Sequence, residues 1–311
     1  MRYKTLMDDT GDIKVHRDMQ LGHAEFNENV PMFFNQYRMP LNIEGLFKGR
    51  SCFLFSNGPS ASEIRMARLK KPGVQIMSVN NGASTLLANG ITPDFWVCVD
   101  QPCRFVKQIW LNPKIMKFVP FSCFDKPLWD NETWKPLDML VKDAPNVIGY
   151  MRNEKFAAHR FWTESNFNWG CHKKYGGCRT VLLPAMRIPF ILGFRELYLI
   201  GVDLKMDDTK KYHFDEGRNK GAIKCNTNTY KRIINEYGPG LEKYSKQVGY
   251  KIYNCNPNSA LDCFDFMHYK EAISKATSVN GPLKQIQTRG MYTVWKDKIK
   301  MTREQAIEKT T

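Results

Sequence analysis

The sequence predicts an α/β protein, a mostly parallel sheet flanked by helices, and three observations carry that prediction. Short apolar runs at Cys52–Phe55, Val74–Val79 and Phe95–Val99 recur at even spacing. A stretch of helical composition separates each from the next, which is the connection that parallel strands need for right-handed crossovers. Each run also ends in a polar side chain, Asn57, Asn80 or Asp100, and open parallel sheets bind ligands at the carboxyl ends of their strands.

Taken in order, residues 1–47 are polar and mixed, with an aromatic patch at 31–37, and are expected to form an N-terminal arm packed on the main domain. The first strand breaks at Asn57-Gly58-Pro59, a turn signal. Ser60 stands three residues before Glu63, the spacing of a capping box, so a helix is expected over Ser60–Lys70. Strand, polar turn and helix start together make an anion site. Backbone N–H groups point outward, Gly58 lets a phosphate approach, and the Asn57 amide can both donate and accept. The stretch is neither a Walker loop nor GxGxxG. An ordinary strand-to-helix connection is the other reading of it.

Pro72-Gly73 leads into the second strand, a short helix runs to about Asn89, and Pro93-Asp94 leads into the third strand. Residues 104–175 are rich in Lys, Trp, Phe and Asn, with strands expected near Phe118–Ser122 and Val147–Tyr150. Basic and aromatic residues interleave at Lys155–Trp162 and Asn168–Tyr175. Such mixtures stack on bases or sugars while neutralising phosphates, and they equally describe a core-facing aromatic stripe beside solvated lysines. A helix is expected over Val181–Leu192, kinked by Pro184 and Pro189 and closed by Gly193. At its start, Arg179, Thr180 and the backbone N–H groups can meet one phosphate. The strand Glu196–Ile200 ends in Gly201-Val202-Asp203. A loop with Tyr212-His213 follows, then a helix over Thr229–Val248, a last strand at Tyr250–Asn254, and Asn256-Pro257-Asn258-Ser259.

Nine cysteines, an odd number without any CxxC pair, read as reduced thiols. Cys171-His172 with Cys178 lacks the second pair that zinc requires. No apolar run is long enough to span a bilayer, and the first residues lack the apolar core of a signal peptide, so a cytoplasmic location is expected. The formal net charge of +15 points to polyanionic partners: nucleic acid, phosphorylated saccharide or anionic membrane. Solvated lysines that aid solubility are the plainer account of the same charge.

In this order, Phe53-Leu54-Phe55-Ser56-Asn57-Gly58-Pro59-Ser60, Val79-Asn80, Pro93-Asp94-Phe95 with Val99-Asp100, Leu192–Asp203 and Asn256–Ser259 resemble a known superfamily. It joins motility-associated-factor glycosyltransferases, 6-hydroxymethylpterin diphosphokinase-like proteins and bacterial sialyltransferases of glycosyltransferase family 42. The resemblance covers about residues 48–265. It implies a Rossmann-like nucleotide-sugar-binding catalytic domain there, with an acceptor-side insertion at 104–175 and a basic extension over 266–311.

Carried over by motif, Asn57, Gly58, Pro59 and Ser60 would hold phosphate or ribose, and Asn80 would contact the nucleotide. Arg179 and Thr180 would bind near the donor phosphate or carboxylate, Gly201 and Asp203 would line the pocket, and Asn258 and Ser259 would line the base side. Tyr212-His213 is the Tyr-His pair of the lid region, which assigns His213 as general base and Tyr212 to the leaving phosphate. Asp100 stands where the sialyltransferases carry asparagine.

The resemblance thus implies transfer of a sugar from a CMP- or UDP-linked donor, CMP favoured, with no obligatory metal. The acceptor would be a hydroxyl on a polyanion: duplex DNA with hydroxymethylated bases, as in a bacteriophage, or a surface saccharide. The alternatives are an ATP-dependent diphosphokinase in which Asp100 and Asp203 hold Mg2+, and a non-catalytic nucleic-acid-binding protein.

Overall fold

The computed structural model describes residues 33–37, 41–99, 105–120, 123–130, 133, 135–150, 158–163, 180–205 and 220–281. The strands in chain order are β1 (Phe33–Phe34), β2 (Ser51–Phe55), β3 (Ile76–Val79), β4 (Phe95–Val97), β5 (Met116–Pro120), β6 (Pro127–Asp130), β7 (Lys135–Leu140), β8 (Val147–Tyr150), β9 (Glu196–Ile200), β10 (Lys251–Asn254) and β11 (Asp265–Phe266). The helices are α1 (Gly82–Ala88), α2 (Lys107–Leu111), α3 (Leu182–Ile191), α4 (Lys220–Arg232), α5 (Gly238–Gln247) and α6 (Tyr269–Asn280).

Among the described residues, nine strands form one sheet in the order β1-β8-β5-β4-β3-β2-β9-β10-β11. The pairings are parallel except β1 against β8, so the fold is α/β, Rossmann-like and mostly parallel.

Successive side chains of a strand face opposite sides of the sheet, and here both sides are apolar. Cys52, Leu54, Met77, Val79, Leu197 and Leu199 enter one core. Phe53, Phe55, Ile76, Tyr198 and Ile200 enter the other. Burial on both faces explains why these strands read as continuous apolar runs. The first core includes Leu183, Met186 and Ile188 of α3 and the N-terminal residues Phe33, Phe34, Leu41, Ile43 and Phe47. The second includes Leu69, Leu86 and, from α6, Ala272, Ile273 and Ala276.

Several elements differ from expectation. The helix expected over Ser60–Lys70 is two 3₁₀ turns, Pro59–Glu63 and Met66–Lys70. They are separated at Ile64, which is extended (φ −90°, ψ 132°) and buries its side chain in the core. No capping box forms: Gly58 takes the cap position without any side-chain bond, because the Ser60 hydroxyl is used elsewhere. The helix expected over Thr229–Val248 is α4, a π turn at Ile233–Tyr237, and α5, which begins at Gly238-Pro239. The hairpin β6–β7 was not anticipated, and neither was α6.

Helix α3 ends as expected. The Gly193 N–H donates to the Phe190 carbonyl and the Phe194 N–H to that of Pro189, both at 3.0 Å. With Gly193 at φ +101°, this is a Schellman closure. Pro184 falls in the first turn of α3, where its missing N–H leaves no bond unmade.

Two buried ionisable groups secure the amino ends of the strands, opposite the candidate site. Asp94 Oδ2 accepts the Ile76 N–H at 2.8 Å, and desolvation raises this carboxyl to about 6. Lys117, fully buried, donates to the carbonyls of Asn112 (2.7 Å), Ile115 (3.0 Å) and Pro145 (2.6 Å). Burial lowers its ammonium to about 7.

Asn280, the last residue of α6, docks that helix on the sheet. Its Oδ1 accepts the Ser51 N–H at 2.8 Å, and its Nδ2 donates to the carbonyls of Ser51 (2.9 Å) and Gly73 (2.6 Å). Asn280→Ala strands three buried backbone groups and is expected to cost about 2–3 kcal/mol. Urea unfolding followed by circular dichroism checks this, and a change below about 0.5 kcal/mol would contradict the docking.

Candidate functional site

From β2 the sheet order runs through β3, β4, β5 and β8 on one side, and β9 and β10 return on the other. The order therefore reverses between β2 and β9, and ligands of open α/β sheets bind in the crevice outside the strand ends at such a point. The Asn57–Ser60 turn leaves β2 here, and Gly201-Val202-Asp203 leaves β9.

The two exits interlock through Asp203, which is only 7% exposed. Its Oδ2 accepts the Ser60 N–H at 2.8 Å, and its Oδ1 accepts the Ser60 hydroxyl and the Asn256 amide N–H, the latter at 2.7 Å. The Asp203 carbonyl accepts the Ala260 N–H at 2.9 Å. Ser259 donates its hydroxyl to the Val202 carbonyl at 2.7 Å and accepts the Leu261 N–H at 3.1 Å. One carboxylate thus ties together the loops after β2, β9 and β10.

Two glycines allow that approach. A Cβ on Gly58 would lie 2.4 Å from the Gly201 carbonyl oxygen and 2.7 Å from Asp203 Oδ2. A Cβ on Gly201, at φ +66°, would lie 2.1 Å from the Ser56 carbonyl oxygen. At the Gly58–Ser60 turn, where sequence reasoning places a phosphate, the Ser60 N–H and hydroxyl are bonded to the chain's own Asp203. Gly58 accommodates that carboxylate, and Pro59 opens the 3₁₀ turn.

Thr180 is also engaged, since its Oγ1 accepts the N–H of Leu182, the first residue of α3, at 3.1 Å. Asn258 is exposed and gives its N–H to Asn256 Oδ1 at 2.9 Å.

The β2–β3 side differs. Asn57 is 3% exposed. Asn80 adopts φ +45°, a conformation asparagine tolerates better than most residues. Its carbonyl accepts the Trp96 indole N–H at 2.9 Å, and its N–H donates to the Val97 carbonyl at 3.1 Å. Gly82 opens α1 against this end of the sheet, where a Cβ would meet Ser78 Oγ at 3.0 Å and the Phe55 carbonyl oxygen at 3.1 Å. Three oxygens here, Ser78 Oγ, Asn80 Oδ1 and Ser84 Oγ, are shut off from solvent and have no hydrogen-bond partner among the described residues. Buried polar atoms are nearly always paired, and none of these three has a partner among the described residues. Ser78 and Ser84 were missed from sequence; a lone serine inside an apolar strand was the available signal for Ser78.

Asp100, Arg179, Tyr212 and His213 lie outside the described residues, as do Cys171, His172, Cys178 and the stretch Asn168–Tyr175. At Lys155–Trp162 the described end of the basic-aromatic mixture is core: Phe161 and Trp162 are buried, and the Trp162 indole donates to the Leu241 carbonyl at 3.1 Å. A cavity of about 230 Å³, lined by Glu242, Lys246, Lys251, Tyr253 and Asp265 among others, sits along β10 and includes none of the expected site residues. Among the described residues no group of three or more His, Cys, Asp or Glu is arranged to hold a metal ion. No helix among them is long and apolar enough to cross a membrane.

No protein-family model and no curated protein sequence matches the chain. Among solved structures, it is similar to the Maf glycosyltransferase of Magnetospirillum magneticum AMB-1, at 15% identity and a TM-score of 0.46, over 84% of this chain and 41% of that one. Its structural neighbours include glycosyltransferases. Another is the sialyltransferase CstII of Campylobacter jejuni, solved in complex with the substrate analogue CMP-3FNeuAc, at 18% identity and a TM-score of 0.33 over 70% of this chain and 85% of that one. A third is a mammalian sialyltransferase in complex with Gal-beta-1-3GalNAc-ortho-nitrophenol, at 14% identity and a TM-score of 0.35 over 74% and 87%. The chain spans about two fifths of the length of the Maf glycosyltransferase.

Proposed function

We propose that this protein is a glycosyltransferase that moves a sugar from a nucleotide-sugar donor to a hydroxyl of a polyanionic acceptor. The observation that carries the reading is the set of buried oxygens of Ser78, Asn80 and Ser84 that lack a partner among the described residues, at the carboxyl end of β3 and the first turn of α1. Hydroxyl and amide oxygens suit the neutral donors and acceptors of a ribose or base. The motif resemblance specifies the donor class and favours CMP over UDP.

In the reaction, the bond between the anomeric carbon and the donor phosphate oxygen breaks while one to the acceptor oxygen forms. The acceptor proton passes to a base, for which the resemblance nominates His213, and Tyr212 would donate to the departing phosphate. The net charge of +15 supports an anionic acceptor. Duplex DNA bearing hydroxymethylated bases is the first candidate, a surface saccharide the second.

The diphosphokinase alternative needs Asp203 for Mg2+. Both oxygens of that carboxylate already accept N–H or O–H donors, which favours transfer without metal.

Thermal unfolding with CMP, UDP, GDP and ATP, each with and without Mg2+, tests the donor. A ligand at a hundredfold its Kd stabilises by about 2.7 kcal/mol. CMP is expected to raise Tm by several degrees without Mg2+. Asn80→Gly, which removes the amide while keeping the positive φ free of strain, is expected to abolish the rise. A shift with ATP and Mg2+ alone would replace this reading with the diphosphokinase, and no shift with any nucleotide would refute the pocket.

A further inference from the structure

The segment that links β2 to β3 carries a feature that the sugar-transfer reading does not use. Residues 64–93 contain Arg65, Arg68, Lys70 and Lys71 and not one Asp or Glu. All four cations fall on or beside the second 3₁₀ turn, Met66–Lys70, with Arg65 and Lys71 as its two caps.

A 3₁₀ helix has three residues per turn, so side chains at i and i+3 eclipse. Arg65 and Lys71 are caps in extended backbone (ψ 94° and 138°), and the three cations recur at the i, i+3 spacing of the turn, roughly 6 Å apart at ~2.0 Å rise per residue. Met66 and Leu69, the neighbouring row, pack into the core beneath, and this fixes which way the cations face. An α-helix over the same residues, as sequence reasoning expected, would have fanned the three cations around its axis.

None of the four cations makes an ion pair or side-chain hydrogen bond with a described residue. Arg68 is half-buried, and its Nε is shut off from solvent with no acceptor among the described residues.

From this geometry we infer that the row Arg65–Arg68–Lys71 is a docking strip for the phosphodiester backbone of a nucleic acid. Arginine forks take phosphate oxygens in pairs. The apolar residues of the segment turn inward, so it has nothing to insert into a bilayer, and no aromatic lies between the cations to stack on a sugar or base. The strip reads charge and spacing, not sequence. Its binding stands or falls independently of sugar transfer.

Fluorescence anisotropy of a labelled duplex DNA against the full chain, in a salt series from 50 to 200 mM, tests the strip. Three proteins are compared: wild type, the triple variant Arg65→Gln/Arg68→Gln/Lys71→Gln, and a charge-matched control, Lys114→Gln/Lys135→Gln/Lys251→Gln, whose positions are exposed and off the row. Each phosphate contact contributes about 0.9 to the slope of log K against log salt. The triple variant is expected to flatten that slope by about 2–3 and to weaken binding at least about tenfold at 50 mM, with the control near wild type. The double variant Arg65→Gln/Lys71→Gln leaves the half-buried Arg68 in place and is expected to lose about two thirds of the slope change, which protects the test from a folding defect. The CMP-induced rise in Tm should survive in all variants.

Equal losses in triple variant and control would mean diffuse charge and no strip. Wild-type binding that is absent, or that appears with heparin or anionic vesicles and not with DNA, would overturn the assignment.

Discussion

Gly201→Ala is expected to destabilise the protein by about 4 kcal/mol, lowering Tm by roughly 6 °C. Two effects combine. At φ +66° a side chain is strained, at about 1 kcal/mol. The new Cβ would also lie 2.1 Å from the Ser56 carbonyl oxygen and 3.0 Å from Ala61 Cβ. The Ser56 atom is backbone, and it sits where Gly58 donates its N–H to the Gly201 carbonyl at 2.9 Å, so neither loop can retreat without opening the other. Gly249→Ala separates the two contributions. Gly249 has φ +69° with nothing within 4 Å of the added atom, so it should show the strain alone, about 1 kcal/mol. Differential scanning calorimetry of both variants decides: if they melt together, the tight crossing of the β2 and β9 exits is wrong.

The second large effect concerns Asp203. Asp203→Ala removes the acceptor of the buried Ser60 N–H and hydroxyl and of the Asn256 amide, and hydrogen bonds to a charged group are worth about 1.5–3 kcal/mol each. Allowing for water entering the gap, a loss of about 3–4 kcal/mol is expected. Asp203→Asn keeps one acceptor oxygen but turns an NH2 toward other donors, and should lose about half as much. Because the bonds share one carboxylate, Ser60→Ala and Asp203→Ala should be non-additive, with a coupling of about 1–3 kcal/mol in a double-mutant cycle. Urea midpoints of the four proteins measure it. Full additivity would show that the Ser60–Asp203 bond does not hold the loops.

These two residues also show how a motif can be legible while its use is not. Asn57-Gly58-Pro59-Ser60 and Gly201-Val202-Asp203 stand out in the sequence as a turn and a strand exit, and both are found there. That the serine and the aspartate bond to each other, 143 residues apart, is a fact of strand order: β2 and β9 are neighbours only because the chain returns to the sheet centre after β8. The same return explains the missing helix at Ser60. Local spacing allowed a capping box, but the Ser60 hydroxyl found a charged acceptor across the crevice, and the buried Ile64 broke the segment into two 3₁₀ turns. Helix α6 was illegible for a different reason. Its apolar face is narrow, Ala272, Ile273 and Ala276, and it is held by the terminal Asn280 clamp, which no periodicity reveals.

By itself, the sequence determined the class of this protein. Apolar runs long enough only for strands, spaced by crossovers, dictate a mostly parallel sheet, because backbone hydrogen bonding and burial of both faces leave few other solutions. It also determined which residues end the strands, and hence that Asn57, Asn80 and Asp203 share one edge. Tertiary structure alone decided how those polar ends divide. Asp203 and Ser60 satisfy each other across the β2–β9 crossing, whereas the side-chain oxygens of Ser78, Asn80 and Ser84 are buried without partners among the described residues. Spacing along a chain specifies which groups reach the same edge; the order of strands across the sheet specifies which of them meet.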